Sequence, residues 1–214
     1  MLANIDFLRL LVSFSVEVGI TWALSAVLGQ LLQPCGYSGT LVGKVLLFNT
    51  FAGSLGSFSL AYFLRDNHQN YYFIYKFLIV LTAVGCFLVF GFNQPGNATL
   101  ILWCWTLYGF ASGPLSPVTL ELAAEMTYPI PADNSTTLLY TVAIGVYFSI
   151  AMVLTPLLGT ARSVTCSDII TPTSTVSSGL ALLAFFIALP IKVLFNRKDL
   201  AAKELALRQT PSSR

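Results

Sequence analysis

The sequence predicts an all-α membrane protein with six transmembrane helices. Only 9% of its 214 residues are charged and 56% are hydrophobic, whereas an average globular chain is about 25% charged. So few charged groups cannot cover the surface of a soluble domain, and lipid is therefore the expected solvent. The apolar runs do not alternate as the strands of a membrane β-barrel do, and most reach the length of about 20 residues that a helix needs to span a bilayer.

Each predicted span is an apolar run bounded by proline, glycine, asparagine or charged residues. In chain order the spans cover residues 7–32, 41–64, 72–92, 99–120, 138–158 and 178–195. Pro114 and Pro117 make the fourth span bendable. The small residues of "FAGSLGS" in the second span and "GFASG" in the fourth let helix backbones approach closely. Residues 1–195 are predicted to form one six-helix bundle, and residues 196–214 a basic tail.

The distribution of Lys and Arg predicts the orientation. Six spans place both termini on one side, and with the termini in the cytosol nine basic residues lie inside and only Lys44 and Arg162 outside. Cytosolic segments carry the excess of positive charge, so we expect cytosolic termini. The membrane itself, whether plasma membrane or that of a lysosome or another organelle, stays open.

Three features of the loops agree with this orientation. Asn97 begins a glycosylation sequon, "NAT", in an outer loop, whereas the sequon at Asn134 falls inside and is expected to stay unmodified. Cys35 and Cys166 both fall in outer loops and can form a disulfide. Four free thiols are the alternative.

Polar and aromatic residues within the spans are candidates for binding a solute. Glu17 lies halfway along the first span, where an ionisable group is costly and is a functional candidate by default. It either binds a proton or cation beside a cavity or makes a structural hydrogen bond to another helix. Trp22 lies deep enough to line a cavity, and Tyr147 and Asn49 are further candidates. The alternative for the aromatic residues is a belt at the lipid–water interface.

Two carboxylates end the fourth span in "ELAAEMTYPIP". Glu121 and Glu125 are four residues apart and share one helix face at the cytosolic end. The C-terminus of a helix carries partial negative charge and disfavours acids, so a basic group should offset them. The adjacent cytosolic loop holds Arg65 and Asp66, with His68 and then Lys76 further along. These residues predict a cytosolic gate, and a solvated helix end is the alternative.

Several other classes of function are disfavoured. The net charge of +2 is too small to indicate nucleic-acid binding, and the four cysteines lack the spacing of a zinc ribbon or disulfide scaffold. His68 is the one histidine, and the sequence offers no plausible pair of nucleophile and base. We therefore expect neither an enzyme nor a bound metal or cofactor.

At the gate residues the sequence resembles the feline leukaemia virus subgroup C receptor-related (FLVCR) transporters, a branch of the major facilitator superfamily. In that family a proline-containing tenth helix ends in the pattern matched here by Pro117, Glu121, Glu125, Thr127, Tyr128 and Pro129. The first span is similar to the family's seventh helix at Ser13, Gly19, Trp22, Ser25 and Gln30. "RDNHQNY" is similar to a degraded form of the superfamily's acidic–basic loop between helices eight and nine.

The resemblance implies the C-terminal six-helix half of a transporter that works by alternating access. Family members carry choline, ethanolamine, haem-related or vitamin-like solutes, and the choline carriers surround a quaternary ammonium with aromatic residues, one of them at the position of Trp22. The chain departs from the family at Thr137 and Ile144, which replace a glycine and a glutamine. Glu17 replaces an apolar residue, which makes a cationic or proton-linked solute more plausible.

The resemblance also implies partners. A solute site between two six-helix halves requires either a missing N-terminal half or a second copy of the chain, and we expect this chain to be a fragment of a twelve-helix transporter. The alternative is a truncated, non-transporting membrane subunit that pairs with a full-length relative and regulates it.

Overall fold

A computed structural model describes residues 4–64, 71–92, 96–158 and 166–191, without the side chains of residues 167–169. The described residues form seven α-helices and one short 3₁₀ turn, Gln33–Cys35. The helices are α1 (Ile5–Leu32), α2 (Gly39–Leu64), α3 (Tyr71–Gly91), α4 (Ala98–Ser112), α5 (Leu115–Thr127), α6 (Ala132–Leu157) and α7 (Cys166–Ala188).

Five of these helices are long and apolar enough to cross a membrane: α1, α2, α3, α6 and α7. The shorter α4 and α5 follow each other and together cover the fourth predicted span. The predicted all-α membrane fold is thereby confirmed.

The fourth span is interrupted at Gly113 and Pro114, although both residues keep right-handed helical dihedral angles. Helix α4 ends at Ser112, and α5 begins at Leu115 after Gly113 and Pro114. Proline has no backbone N–H and its ring clashes with the carbonyl four residues earlier, which here belongs to Phe110. The break follows directly from the proline that made this span bendable in the sequence.

Helix α7 differs from the predicted sixth span, because it begins at Cys166 and not at residue 178. The first turns of α7 are rich in polar residues, so the apolar run in the sequence begins later than the helix does. The hydroxyls of Ser174 and Thr175 each donate to the Thr171 carbonyl oxygen at 2.8 Å, so the helix itself satisfies these groups. Residues 192–214, including the predicted basic tail, lie outside the described part of the chain.

Helix α1 is the centre of the bundle and packs chiefly against α6 and α7. Two buried apolar clusters lie along it. One runs from Phe7 to Val18 on α1, and the other from Val16 to Leu32. Glu17 sits at the level where the two clusters meet.

Helices α2 and α4 pack with almost no side chain between their backbones. A Cβ atom placed on Gly53 would lie 3.1 Å from the Gly109 carbonyl oxygen, and one on Gly109 or Gly113 would collide with the backbone of α2. Asn49 Nδ2 donates to the Trp105 carbonyl oxygen at 2.9 Å across the same contact. The small residues noted in the sequence therefore meet each other, as close packing in membranes requires.

Contacts between segments distant in sequence define the two ends of the bundle. At one, which we call the disulfide end, Cys35 and Cys166 are joined in a disulfide and the Asn97 backbone N–H donates to the Tyr37 hydroxyl at 3.2 Å. The other, which carries Glu121 and Glu125, we call the carboxylate end.

At the carboxylate end, helix α3 is bonded to the end of α7. Lys76 Nζ donates to the Leu189 carbonyl oxygen at 2.6 Å, and the Tyr72 hydroxyl donates to the Ile191 carbonyl oxygen. The C-terminus of a helix carries partial negative charge, which a lysine ammonium offsets.

Candidate functional site

A cavity of about 320 Å³ opens between α1, α2, α4 and α5. Its lining is made of small and polar side chains around one large aromatic ring. The lining residues are Val18, Thr21, Trp22, Ser25, Asn49, Thr50, Gly53, Ser54, Ser57, Gly109, Ser112, Gly113, Leu115 and Ser116. Of the predicted solute-binding residues, Trp22 and Asn49 lie in this wall.

The close approach of α2 and α4 positions one side of the cavity. Because glycines occupy the contact, the neighbouring positions of α2 carry hydroxyls that line the space. Thr50 and Ser57 each donate to the carbonyl oxygen four residues earlier at 2.9 Å, and Ser54 does so at 3.1 Å.

The hydroxyl donors of the wall are therefore largely committed to the helices. Ser25 and Ser112 also donate to backbone carbonyl oxygens. A hydroxyl has one proton and two lone pairs, so each of these oxygens retains acceptor capacity. None of the described residues that line the cavity is charged. The cavity therefore has an uncharged lining that is rich in hydrogen-bond acceptors.

Trp22 forms an aromatic corner with two tyrosines of α6. Its ring stacks on Tyr140 with the ring centroids 6.3 Å apart and the planes 10° from parallel, and it meets Tyr147 edge-on at 6.2 Å. Trp22 is 39% exposed, so one part of its ring stays free. Tyr147 reaches the site through Trp22 and does not itself line the cavity.

Tyr140 was not among the residues predicted from the sequence. The available signal was its spacing of seven residues from Tyr147, which places both rings on one face of a helix two turns apart. Among the other aromatic residues of these helices, Trp103 is exposed, whereas Trp105 and Tyr108 are buried in the core.

Glu17 lies inside the bundle and not in the cavity wall. Its side chain is 1% exposed, and its Oε1 atom has no hydrogen-bond partner among the described residues. The next turn of α1 connects it to the cavity: Thr21, which lines the cavity, donates its hydroxyl to the Glu17 carbonyl oxygen at 3.0 Å.

The two carboxylates predicted to form a gate have different surroundings. Glu121 lies with Tyr71 beside a second cavity, of about 210 Å³, between α2, α3 and α5. Glu125 is only 2% exposed, and neither of its carboxylate oxygens has a hydrogen-bond partner in the described part of the chain.

Most of the loop residues predicted to meet these carboxylates lie outside the described part of the chain. They are Arg65, Asp66 and His68. Lys76 donates to the Leu189 carbonyl oxygen and lies over the Tyr72 ring, with Nζ 4.3 Å from the ring centroid. Lys76 thus contacts the end of α7 rather than either carboxylate.

The two sequons lie at opposite ends of the bundle. Asn97 is exposed immediately before α4 at the disulfide end, and Asn134 is exposed in the first turn of α6 at the carboxylate end. Cys86 and Cys104 are buried free thiols within helices. Across the described ranges, no three His, Cys, Asp or Glu residues are grouped so that they could hold a metal ion.

Comparison with known proteins identifies transporters as relatives, although no protein-family model matches the chain. Solute carrier family 49 member A3 of Xenopus tropicalis is 29% identical over 143 residues, which cover 65% of this chain and 29% of that protein. The choline/ethanolamine transporter FLVCR1 of Mus musculus is 31% identical over 153 residues, 69% of this chain and 27% of that protein. The chain thus matches less than a third of the length of these relatives.

The fold is that of part of a major facilitator. The xylose transporter XylE of E. coli, in an inward-open conformation, superimposes with a TM-score of 0.57 and 16% identity, covering 97% of this chain and 52% of the other. The bundle therefore corresponds to about half of that transporter, and the predicted resemblance to FLVCR-type transporters is confirmed.

Proposed function

Because the chain resembles FLVCR-type transporters and has the fold of half a major facilitator, we propose that it forms part of a transporter that moves a small organic solute by alternating access. The cavity between α1, α2, α4 and α5 carries this proposal. Solute sites of such transporters lie near the middle of the membrane, where the two halves of the protein meet.

The lining of the cavity favours a small organic cation. Its hydroxyl oxygens accept hydrogen bonds, and the face of Trp22 attracts a cation by about 0.5–2 kcal/mol. A choline- or ethanolamine-like solute offers both a positive charge and hydrogen-bond donors. A volume of about 320 Å³ lies near the lower limit of about 300 Å³ for ligand pockets, so a haem-sized solute fits less well than a small amine or a vitamin.

A second six-helix body is needed to close the site. Trp22 is 39% exposed, and Thr50 and Ser54 of the cavity wall are exposed as well. The protons of these two hydroxyls are bonded within α2, but their remaining lone pairs would face lipid without a donor, so we propose that this face is covered. An N-terminal half of the same transporter is the cover that we propose, and a second copy of the chain is its competitor.

The proposed orientation places the disulfide end outside the cytosol and both termini inside. Disulfides persist in oxidising compartments, and the excess of basic residues marks the cytosolic side. Asn97 then faces the side where glycans are added. Glu121 and Glu125 lie at the cytosolic mouth, where we propose that they form a gate with the loop that contains Arg65 and Asp66.

Reconstitution into liposomes tests the function. Uptake of radiolabelled choline would be measured for a verified monomer, for a crosslinked dimer and for the chain co-expressed with the N-terminal half of an FLVCR-type transporter. We expect saturable uptake only when a second half is present, with excess unlabelled choline or ethanolamine competing. Saturable uptake by the monomer would contradict the requirement for a second half.

A regulatory subunit makes a different prediction in the same assay. Such a subunit would support no uptake in any of the three preparations, yet it would change uptake by a full-length FLVCR-type transporter present in the same liposomes. That outcome would overturn the transport proposal and would favour regulation instead.

A further inference from the structure

Two pairs of hydroxyl groups flank Glu17 along α1. One helical turn before it, the Ser13 hydroxyl lies 2.6 Å from the Tyr75 hydroxyl. One turn after it, the Thr21 hydroxyl lies 2.8 Å from the Tyr108 hydroxyl. Residues four apart share one helix face, so Glu17 and both pairs lie in one row.

The serine and threonine hydroxyls also contact backbone carbonyl oxygens. Ser13 Oγ lies 3.2 Å from the Leu10 carbonyl oxygen and Thr21 Oγ1 lies 3.0 Å from the Glu17 carbonyl oxygen. When these hydroxyls donate to the backbone, Tyr75 donates to Ser13 and Tyr108 donates to Thr21. The tyrosine oxygens are left as acceptors. A protonated carboxyl can donate to such an acceptor, whereas a carboxylate needs donors.

No positive charge faces Glu17 among the described residues. Tyr75 and Cys86 of α3 and Tyr108 of α4 lie within its electrostatic reach, and all three are neutral or anionic groups. On α7, the uncharged Ser178 lies beside the Cys86 thiol.

The titratable groups of the other helices that pack on α1 lie elsewhere. Tyr140 and Tyr147 of α6 contact Trp22. Glu121 and Glu125 of α5 lie at the carboxylate end, and both are acids. An unpaired carboxylate inside a membrane protein is costly, and nothing in these surroundings would offset its charge.

We propose that Glu17 is a proton-binding site connected to the solute cavity through Thr21 and Tyr108, and that solute movement depends on its protonation. Thr21 is the link, because it lines the cavity and is bonded to both Tyr108 and the backbone of Glu17. The Ser13–Tyr75 pair is fully buried on the other side, so the cavity is the side from which protons reach Glu17.

Infrared difference spectroscopy of the chain in lipid nanodiscs tests proton binding without requiring transport. Wild-type protein should show the C=O stretching band of a protonated carboxyl, and this band should titrate with pH. Glu17→Gln should lose that component. If the bands of wild-type and Glu17→Gln are identical at every pH, Glu17 does not bind the proton and the proposal fails.

Conservative variants test the hydroxyl pairs even if Glu17→Gln folds poorly. At least one of Tyr75→Phe and Tyr108→Phe should shift the frequency of the band, because each substitution removes one of the hydroxyls that flank Glu17 along α1. Thr21→Val should slow hydrogen–deuterium exchange of the carboxyl. Thr119→Val is the matched control, since its buried hydroxyl donates only to the Leu115 carbonyl oxygen of its own helix. Equal spectra for all four variants would overturn the assignment.

Sodium distinguishes a proton from a metal ion. If Na⁺ at constant pH removed the Glu17 band, the site would be a metal-cation site and the proton assignment would be wrong. The use of the proton rests on the proposed transport function: uptake in the complete transporter should vary with pH, and Glu17→Gln should remove that variation. A titrating band together with pH-independent uptake would retain the site but refute its coupling to the solute.

Discussion

The contact between α2 and α4 predicts that Gly56→Ala destabilises the bundle. A Cβ atom at position 56 would lie 2.5 Å from the Phe110 carbonyl oxygen, 3.2 Å from Pro114 Cγ and 3.3 Å from Phe110 Cδ2. Two of these three neighbours belong to the side chains next to the break between α4 and α5. The Phe110 carbonyl oxygen belongs to the backbone and cannot rotate away.

The spacing fixes the rough size of the effect. The new methyl group would be about 0.9 Å inside the 3.4 Å at which ordinary contact begins, so α2 and α4 must separate. Overpacking of this kind costs about 1–3 kcal/mol, while replacing a helical glycine by alanine returns about 0.5–1 kcal/mol. We expect Gly56→Ala to lose about 0.5–2 kcal/mol of unfolding free energy, the difference of these two effects.

Two further glycines of α2 provide a graded comparison. Gly53→Ala would meet the Gly109 carbonyl oxygen at 3.1 Å and should be nearly neutral, because a shift of a few tenths of an ångström relieves the contact. Gly43 has nothing within 4 Å of the corresponding atom, so Gly43→Ala is the control and should gain about 0.5 kcal/mol.

Thiol labelling provides the assay. Cys86 and Cys104 are buried free thiols, so a thiol-reactive fluorophore reports unfolding in detergent as the temperature rises. Gly56→Ala should unfold at the lowest temperature of the three variants, and Gly43→Ala at the highest. If Gly56→Ala were as stable as Gly43→Ala, the close packing of α2 on α4 would be refuted.

Three other perturbations address the site and the orientation. Trp22→Ala should weaken choline binding by about 0.5–2 kcal/mol and Trp22→Phe by less, as measured by competition against labelled choline in the complete transporter. The control Trp103→Phe, at an exposed position, should leave binding unchanged, and equal affinity of the two Trp22 variants would refute the cation–aromatic contact. Asn97→Gln should abolish a glycosidase-sensitive mass shift and Asn134→Gln should leave it intact; the reverse pattern would invert the topology. Cys35→Ser should lower the midpoint of thermal unfolding, since a cross-link across 131 residues contributes about 4–5 kcal/mol in the loop-entropy model, and reductant should then have no additional effect.

Hydrophobicity was sufficient to predict the all-α membrane fold, because a bilayer requires long apolar helices, and five of the described helices are long and apolar enough to cross a membrane. It was less informative where polar side chains are satisfied within their own helix. Ser174 and Thr175 bond to a carbonyl of α7 and so allow that helix to extend beyond the apolar run. The interruption after Ser112 was predicted more closely, because Pro114 lacks a backbone N–H and its ring clashes with the carbonyl four residues earlier.

The candidate site was predicted less completely, since it depends on which helix faces which. Trp22 and Asn49 line one cavity from two different helices, and their role in solute binding stays a prediction. Glu17 and Trp22 both lie on α1, but Glu17 faces the interior of the bundle and Trp22 faces the cavity. The sequence alone does not reveal which neighbouring helix each side of α1 contacts. Lys76 was expected near the carboxylates and instead meets Leu189, more than 100 residues away in sequence.

Helix α7 links α1 at one end of the bundle to α3 at the other end. The Cys35–Cys166 disulfide joins its beginning to the end of α1, and the bonds from Lys76 and Tyr72 join its end to the beginning of α3. A helix that is bonded at its two ends to two different neighbours resists sliding of those neighbours past each other. We therefore expect α1, α3 and α7 to move as one rigid unit. Movements that change the shape of the cavity then belong to α2, α4 and α5, the helices on its other three sides. Oxidation in the compartment that the disulfide end faces would thus set the mechanical stiffness of the scaffold against which those helices move.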